Sequence, residues 1–321
     1  MNTRDLQSRR EAFYERIDPH SMAPLWTRLK SLVPAEPTPI GVPHRWRYAQ
    51  VRPYVLESAQ HISAAEAERR VLILENPALR GTSQVTSTLY AGLQLIMPGE
   101  VAPPHRHTQS ALRFIVEGRG AYTTVEGEKV LMEPGDFVIT PSWTWHHHGN
   151  ETQEPMIWLD GLDIPMLAHF NSTFREDHRE GEPPVHPPAN RPIVSYPWSR
   201  TREALRKLAA STPDSHLGHV MRYLTPAGEW AMPTIAPVAR LLPGGFQTRA
   251  YRSSDSAIFI VVEGTGDVEV GGQRFDLAEH DIFVVPGWMP CTMRAASDLV
   301  LFSFSDRVAQ EKLGIFREDR S

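Results

Sequence analysis

The chain has 321 residues, 41% of them hydrophobic and 22% charged, which is the composition of an ordinary folded protein with room for two domains and excludes a disordered chain or a stapled miniature. Its 38 acidic residues outnumber its 33 basic ones, for a formal net charge of −5, and its eight tryptophans are not interleaved with basic clusters, so it offers no field for a nucleic acid. The single cysteine, Cys291, excludes an intrachain disulfide, a thiolate zinc site and an iron–sulfur cluster, and fits a reducing cytoplasm.

The first twenty residues are charged throughout and lack the apolar run of a signal peptide, and nowhere are there the ~18 consecutive apolar residues of a membrane span. The expectation is a soluble, cytoplasmic protein. Leu6, Phe13 and Ile17, then Met22, Leu25, Leu29 and Leu32, recur at helical spacing with a break near Pro19, predicting a helical arm over 4–33. From Pro34 to Pro53, prolines are expected to prevent any regular element. Residues 69–74, 87–97, 112–116 and 137–140 read as short strands, separated by turn signals at 99–100, 117–118, 126–127 and 134–135. Many short strands so punctuated predict a β-sandwich, jelly roll or barrel.

Between 163 and 199 the composition shifts to Pro, His, Glu and Asn, with proline pairs at 183–184 and 187–188, which reads as a long connection before a short helix over 201–210. Past Ala236 the strand-and-turn pattern resumes, and the two halves align. Glu117-Gly118-Arg119-Gly120 matches Glu263-Gly264-Thr265-Gly266, and residues 137–143 match 283–288 with one residue fewer. The predicted organisation is an arm over 1–60, a first β-barrel over 61–165, a linker with a short helix over 166–225, and a second barrel over 226–321.

Of the fourteen histidines, five fall between Pro103 and Asn150. The run Gly99-x5-His105-x-His107-x10-Gly118, followed by Gly135-x5-Pro141-x-Trp143-x2-His146-x3-Asn150, resembles the two signature motifs of the cupin superfamily. His105 and His107, two apart on a strand, face one side, and His146 arrives from another strand. A His-x-His run alone reads as well as a surface strand; the second motif at matching spacing favours three converging imidazoles and a metal. Where cupins commonly carry a glutamate ligand this chain has Ala111 or Leu112, so the site is expected to be all-histidine, keeping the full charge of an Fe(II) ion for an anionic hydroxy acid. Alternation continued from His107 puts Gln109, Ala111 and Arg113 inward, and an inward arginine needs an anion, either Asp160 or a substrate carboxylate. His147 reads as surface or structural; His148 and Asp160 are each open between a role at the site and simple packing. In the second copy Tyr251 and Ser253 occupy the positions of His105 and His107, and Cys291 that of His146. That barrel is expected to be metal-free and structural, with Cys291 a buried thiol.

Across nearly its whole length the sequence resembles the gentisate 1,2-dioxygenases, bicupins that cleave hydroxybenzoate rings. Residues 69–77, 89–100, 105–114, 140–146, 232–235 and 301–306 carry that likeness. The resemblance implies an all-β-dominated pair of jelly rolls and a homotetramer. It also implies an Fe(II) enzyme that opens gentisate with O2 to maleylpyruvate, with His105, His107 and His146 as ligands and Arg113 on the substrate carboxylate. Tyr90, Gln94, His148 and Asp160 would line the pocket and assist proton movements, Gly92 would leave room for the ring, and Arg69 or, after a one-residue slip, Arg70 would add a second cation. Cleavage of salicylate, a substituted salicylate or 1-hydroxy-2-naphthoate remains open. So do another metal, since three histidines also suit zinc, manganese or nickel, and a non-catalytic ligand-binding cupin.

Overall fold

Period-two alternation gives each strand one face for each of two environments. In the strand Tyr90–Ile96, Ala91, Leu93 and Leu95 join an extended apolar cluster, whereas Tyr90, Gly92 and Gln94 lie on the opposite face. The computed structural model, which describes residues 3–178 and 194–321, stacks such strands into two jelly rolls. The first has a six-stranded sheet in the spatial order Ser195–Tyr196, Phe137–Thr140, Ala111–Glu117, Met156–Leu162, Tyr90–Ile96 and Val71–Ile73. Its second sheet runs Arg175–Asp177, Val101–His107, His146–Gly149, Tyr122–Val125 and Glu128–Leu131. Ile96, Ile115, Val138, Met156 and Trp158 pack with Ala121 and Met132 as the dry floor between them.

The second jelly roll repeats this plan with His44–Trp46, Ile282–Val285, Ala257–Glu263, Leu299–Ser305, Ala236–Leu242 and His219–Arg222 in one sheet. Gln273–Leu277, Gly266–Val270 and Cys291–Ala295 form the other. Correspondence extends to backbone detail. Gly118 and Gly264 take φ of 84° and 88°, and a Cβ there would meet the carbonyl oxygens of Pro155 and Asp298 at 2.5 and 2.0 Å. Trp143 and Trp288 are both left-handed, at 60° and 64°, and their amides donate to the carbonyls of His107 and Ser253.

The outer faces of the two six-stranded sheets pack against each other. Phe114 stacks on Phe302 at 4.6 Å, and Leu112, Ile139 and Leu159 share one core with Ile258, Ile260 and Phe304. Each fully buried side chain of this kind stabilises by about 1.5–3 kcal/mol. Two aspartates clasp the junction in a matching way. Asp163 accepts the Ser110 amide of its own jelly roll at 3.0 Å and the Thr234 hydroxyl at 2.6 Å. Asp306 accepts the Ser256 amide at 2.8 Å and, from the other jelly roll, the Thr88 hydroxyl at 2.9 Å.

Several boundaries differ from expectation. The proline-rich 34–53 stretch is not irregular: His44–Trp46 pairs with the second jelly roll, and a helix spans Tyr48–His61 with Pro53 inside it. Pro53 falls in the second turn, where it costs one backbone hydrogen bond, and the helix is held instead by burying Tyr48 and Val55 in the shared core. The connection after 163 carries a helix, Ile164–His169, and the strand Arg175–Asp177; its proline pairs at 183–184 and 187–188 lie outside the described residues. The expected helix over 201–210 spans Trp198–Leu208. The N-terminal unit, through Thr38, has a helix Thr3–Ile17 with none of its residues buried, then a 3-10 turn Asp18–His20 at Pro19, as the sequence break predicts. No helix among the described residues is long and apolar enough to cross a membrane.

Burial holds the Asp306 carboxyl up at about 6, against an ordinary value of 3.8. The native state therefore keeps a proton that the unfolded chain has already released in that window, so this group's stabilising contribution is complete below pH 3.8 and is lost as the pH rises through about 6. Urea unfolding of wild type and Asp306→Asn at pH 4 and pH 7.5 should show the stability difference moving in favour of the variant by about 2–3 kcal/mol at the higher pH.

Candidate metal centre and substrate cavity

His105 and His107 project from one face of Val101–His107, and His146 begins the neighbouring strand directly opposite His105. The ring centroids stand 4.3 Å (His105 to His146), 4.8 Å (His107 to His146) and 5.3 Å (His105 to His107) apart. One nitrogen from each ring lies within 4.8 Å of the others, and among the described residues no other trio of metal-binding side chains converges in this way. His107 Nδ1 is 2.9 Å from the Gln109 carbonyl and His146 Nδ1 is 2.9 Å from the Thr144 carbonyl. A carbonyl only accepts, so each Nδ1 carries the proton and each Nε2 keeps its lone pair for a ligand. Burial first, then nearby cations, pushes His105 down to about 3, His107 down to about 4 and His146 well below its ordinary value, so all three rings are neutral at pH 7. Ala111 lines the cavity and offers no carboxylate, so the donor set is all-histidine. Neutral, convergent imidazoles, with the tautomers of His107 and His146 fixed by carbonyls, fit a divalent transition metal.

Arg69, not Arg70, reaches this site. Its Nη2 lies 2.5 Å from His105 Nδ1 and donates to the Pro103 carbonyl at 3.1 Å, whereas Arg70 forks onto Glu100 at 2.7 and 2.8 Å and donates to the Ile62 carbonyl. Burial pushes Arg69 down to about 10, so it remains a cation.

Opposite the histidines, the inner face of the six-stranded sheet contributes Tyr90, Gln94, Arg113 and Asp160 to a cavity of about 400 Å³. This is ample for one hydroxybenzoate ring, since a dry cavity of about 150 Å³ admits benzene. Arg113 and Asp160 are cross-strand partners, with Nε and Oδ1 3.7 Å apart. Arg113 Nη1 donates to Thr140 Oγ1 at 2.6 Å and Nη2 to His148 Nε2 at 3.0 Å, while Nε is buried without a hydrogen-bond partner. Three of its five N–H donors are thus uncommitted. Asp160 accepts the Trp158 indole N–H at 2.9 Å, and burial, against the pull of Arg113, holds its carboxyl up at about 6. Burial likewise raises the Tyr90 phenol, which stays protonated.

Three expectations need amendment. Gln109, Ala111 and Arg113 do face the cavity, but not by alternation along the strand of His107. The chain leaves one sheet after His107 and enters the other at Ala111, and the residues meet because two inner faces converge. His148 does not line the cavity; it is buried behind Arg113, 5.6 Å from the Trp158 ring, and serves the guanidinium as a neutral acceptor. Nor does Gly92 open space for a ring directly. A Cβ there would lie 2.4 Å from Val71 Cγ1 and 3.0 Å from the Tyr90 hydroxyl, so the glycine lets those two cavity residues take their places. The sequence reading missed Thr173, Phe174 and Arg175, which join the cavity wall because Arg175–Asp177 pairs with the ligand strand, Arg175 opposite His107 and Asp177 opposite His105. No local pattern announces such a return.

Gly92→Ala should displace Val71 and cut kcat/KM by about tenfold or more, equivalent to about 1.4 kcal/mol, without loss of bound metal. Val71→Ala in the same chain should restore most of it, a non-additivity read directly from steady-state kinetics of the single and double variants.

The cupin-domain family model matches twice, at residues 92–162 and 237–304, the two jelly rolls described above. The chain is 46% identical to gentisate 1,2 dioxygenase 1 of Aquipseudomonas alcaligenes over 97% of its own length and 96% of that protein. It is 36% identical to gentisate 1,2-dioxygenase of a Streptomyces species, over 97% and 95%. Among solved structures it resembles a variant of salicylate 1,2-dioxygenase from Pseudoaminobacter salicylatoxidans in complex with gentisate, with a TM-score of 0.88, 34% identity, and coverage of 96% of this chain and 94% of that one. Two cupin folds, one carrying a three-histidine site, and likeness over the whole length make this chain a member of the gentisate 1,2-dioxygenase family of ring-cleaving bicupin dioxygenases.

Proposed function

We propose that the protein opens gentisate (2,5-dihydroxybenzoate) with O2 to give maleylpyruvate, using ferrous iron held by His105, His107 and His146. The observation that carries this reading is the pairing of two recognition elements across one cavity: three neutral imidazoles on one wall, and on the other a buried arginine with uncommitted donors. A carboxylate with an adjacent hydroxyl matches that pair, the carboxylate on Arg113 and the hydroxyl towards the metal. When bound, ferrous iron would supply the redox centre that brings an electron-rich ring and dioxygen together; the oxygenase activity of the relatives favours it over zinc.

The chain's own residues then divide the remaining work. Arg113 and Arg69 face one buried acid, Asp160, so the cavity is cationic and prefers a dianionic substrate. His148 is a positioning residue that sets the rotation of Arg113, as Thr140 does from its other end. Asp160, holding its proton until about pH 6, is the wall group suited to take a hydroxyl proton near neutrality. Tyr90 and Gln94 flank the ring and offer it an O–H and an amide.

A second reading, salicylate as substrate, draws on the salicylate 1,2-dioxygenase neighbour. Oxygen uptake by the Fe(II)-loaded enzyme separates the two: gentisate should be consumed at the higher kcat/KM, and turnover of salicylate alone would install the alternative. We further propose that the protein is a cytoplasmic homotetramer in which the first jelly roll is catalytic and the second has no metal, to be checked by light scattering and by metal content per chain. His105→Ala should lose the iron, measured by elemental analysis after gel filtration. Arg113→Ala should keep the iron and raise KM for gentisate by about 10–100-fold, the worth of a bidentate charged pair; an unchanged KM would remove the carboxylate role.

A further inference from the structure

The second jelly roll keeps the geometry of the metal-bearing one while replacing its chemistry. Tyr251 and Cys291 bridge across the strands as His105 and His146 do, and the Cys291 thiol, pushed up to about 12 by burial, stays neutral. Its interior nevertheless holds a cavity of about 90 Å³. Arg240 projects into it from Ala236–Leu242. It is the fifth residue of its seven-residue strand, the place that Gln94 holds in Tyr90–Ile96.

Arg240 is a cavity-lining cation with no carboxylate at ion-pair distance. Its guanidinium lies over the Phe259 ring at 5.1 Å, its Nε is buried with no hydrogen-bond partner, and no carboxylate among the described residues pairs with it. Three of the other polar or charged side chains around the cavity are engaged with acids, and Arg222 lies over the Trp230 ring at 5.4 Å. Arg307 pairs with Glu311 at 2.6 Å, Arg252 with Asp319 at 2.9 Å, and the Tyr251 hydroxyl donates to Glu318 at 2.8 Å. Asp255 lines the same cavity and acts on Arg240 only from a distance. A guanidinium so placed is costly unless an anion completes it, and its planar fork matches a carboxylate.

We propose that the second jelly roll binds a short aliphatic monocarboxylate of two to four carbons, the carboxylate on Arg240 and the chain against Val285 and Met289. The size of the cavity sets the class: at about 90 Å³ it is smaller than the roughly 150 Å³ that admits a benzene ring, so it is not a second substrate site. The inference is independent of the substrate assigned to the first jelly roll.

Titration calorimetry of the iron-loaded protein with propionate tests it, with benzoate as the size control. Propionate should bind saturably with Kd on the order of 1 mM, well within the ceiling for so few atoms. Arg240→Gln, which installs the residue of the first jelly roll, should weaken that binding at least tenfold while leaving kcat and KM for gentisate unchanged. Arg240→Lys, with charge conserved and the side chain only one bond shorter, guards against misfolding of the glutamine variant and should weaken binding about threefold or more for want of the fork. Absence of saturable binding, equal affinity in wild type and both variants, or benzoate taking the Arg240-dependent site as tightly as propionate would overturn the proposal.

Discussion

Arg113 is a fully buried cation whose nearest carboxylate stands 3.7 Å away, and the cavity beside the three histidines is organised around keeping that charge in place and directed. Because a guanidinium can only donate, its contact with His148 Nε2 requires that ring to be neutral, and its contact with Thr140 fixes the far end of the fork. The same positive field helps to hold His107 and His146 in the neutral form that a metal needs, and it draws the Asp160 pKa back against the effect of burial. The neutrality of the histidines, the direction of the guanidinium and the poise of the Asp160 carboxyl are therefore a single electrostatic problem.

What makes that problem solvable is division of labour between two sheets. The three histidines belong to the five-stranded sheet and the arginine, acid and tyrosine to the six-stranded sheet, so each set is anchored by its own ladder and meets the other across the cavity. Below them the Trp158 floor is dry, and its indole N–H is satisfied by Asp160. Outside them the six-stranded sheet is backed by the second jelly roll through Phe114 and Phe302. The second copy thus stiffens the wall that carries Arg113, and the paired Asp163 and Asp306 clasps lock the two copies at equivalent points.

Duplication also separates backbone from chemistry. Left-handed Trp143 and Trp288, the Gly118 and Gly264 turns and the His105–His146 and Tyr251–Cys291 cross-strand pairs show one backbone maintained through different side chains. In one copy three histidines converge in the interior; in the other Arg240 lines it.

The sequence by itself was enough for the duplicated β architecture and the three-histidine trio, because these follow from glycine-marked turns and two-residue alternation, which are local properties of the chain; it also put Arg113 inward, but the change of sheet between His107 and Ala111 that brings it there is not a matter of alternation. The extents of the strands at 112–116 and 137–140 were legible for the same reason. Only the tertiary structure decided that Arg69 rather than Arg70 turns inward, that His148 stands behind Arg113, that Gly92 yields its space to Val71, and that residues 173–175 return to close the cavity. It also decided that His44–Trp46 serves the second jelly roll and that Pro53 is tolerated within a helix. Each of these depends on which distant segments share a sheet edge or a buried volume, and long-range packing of that kind has no counterpart in the spacing of neighbouring residues.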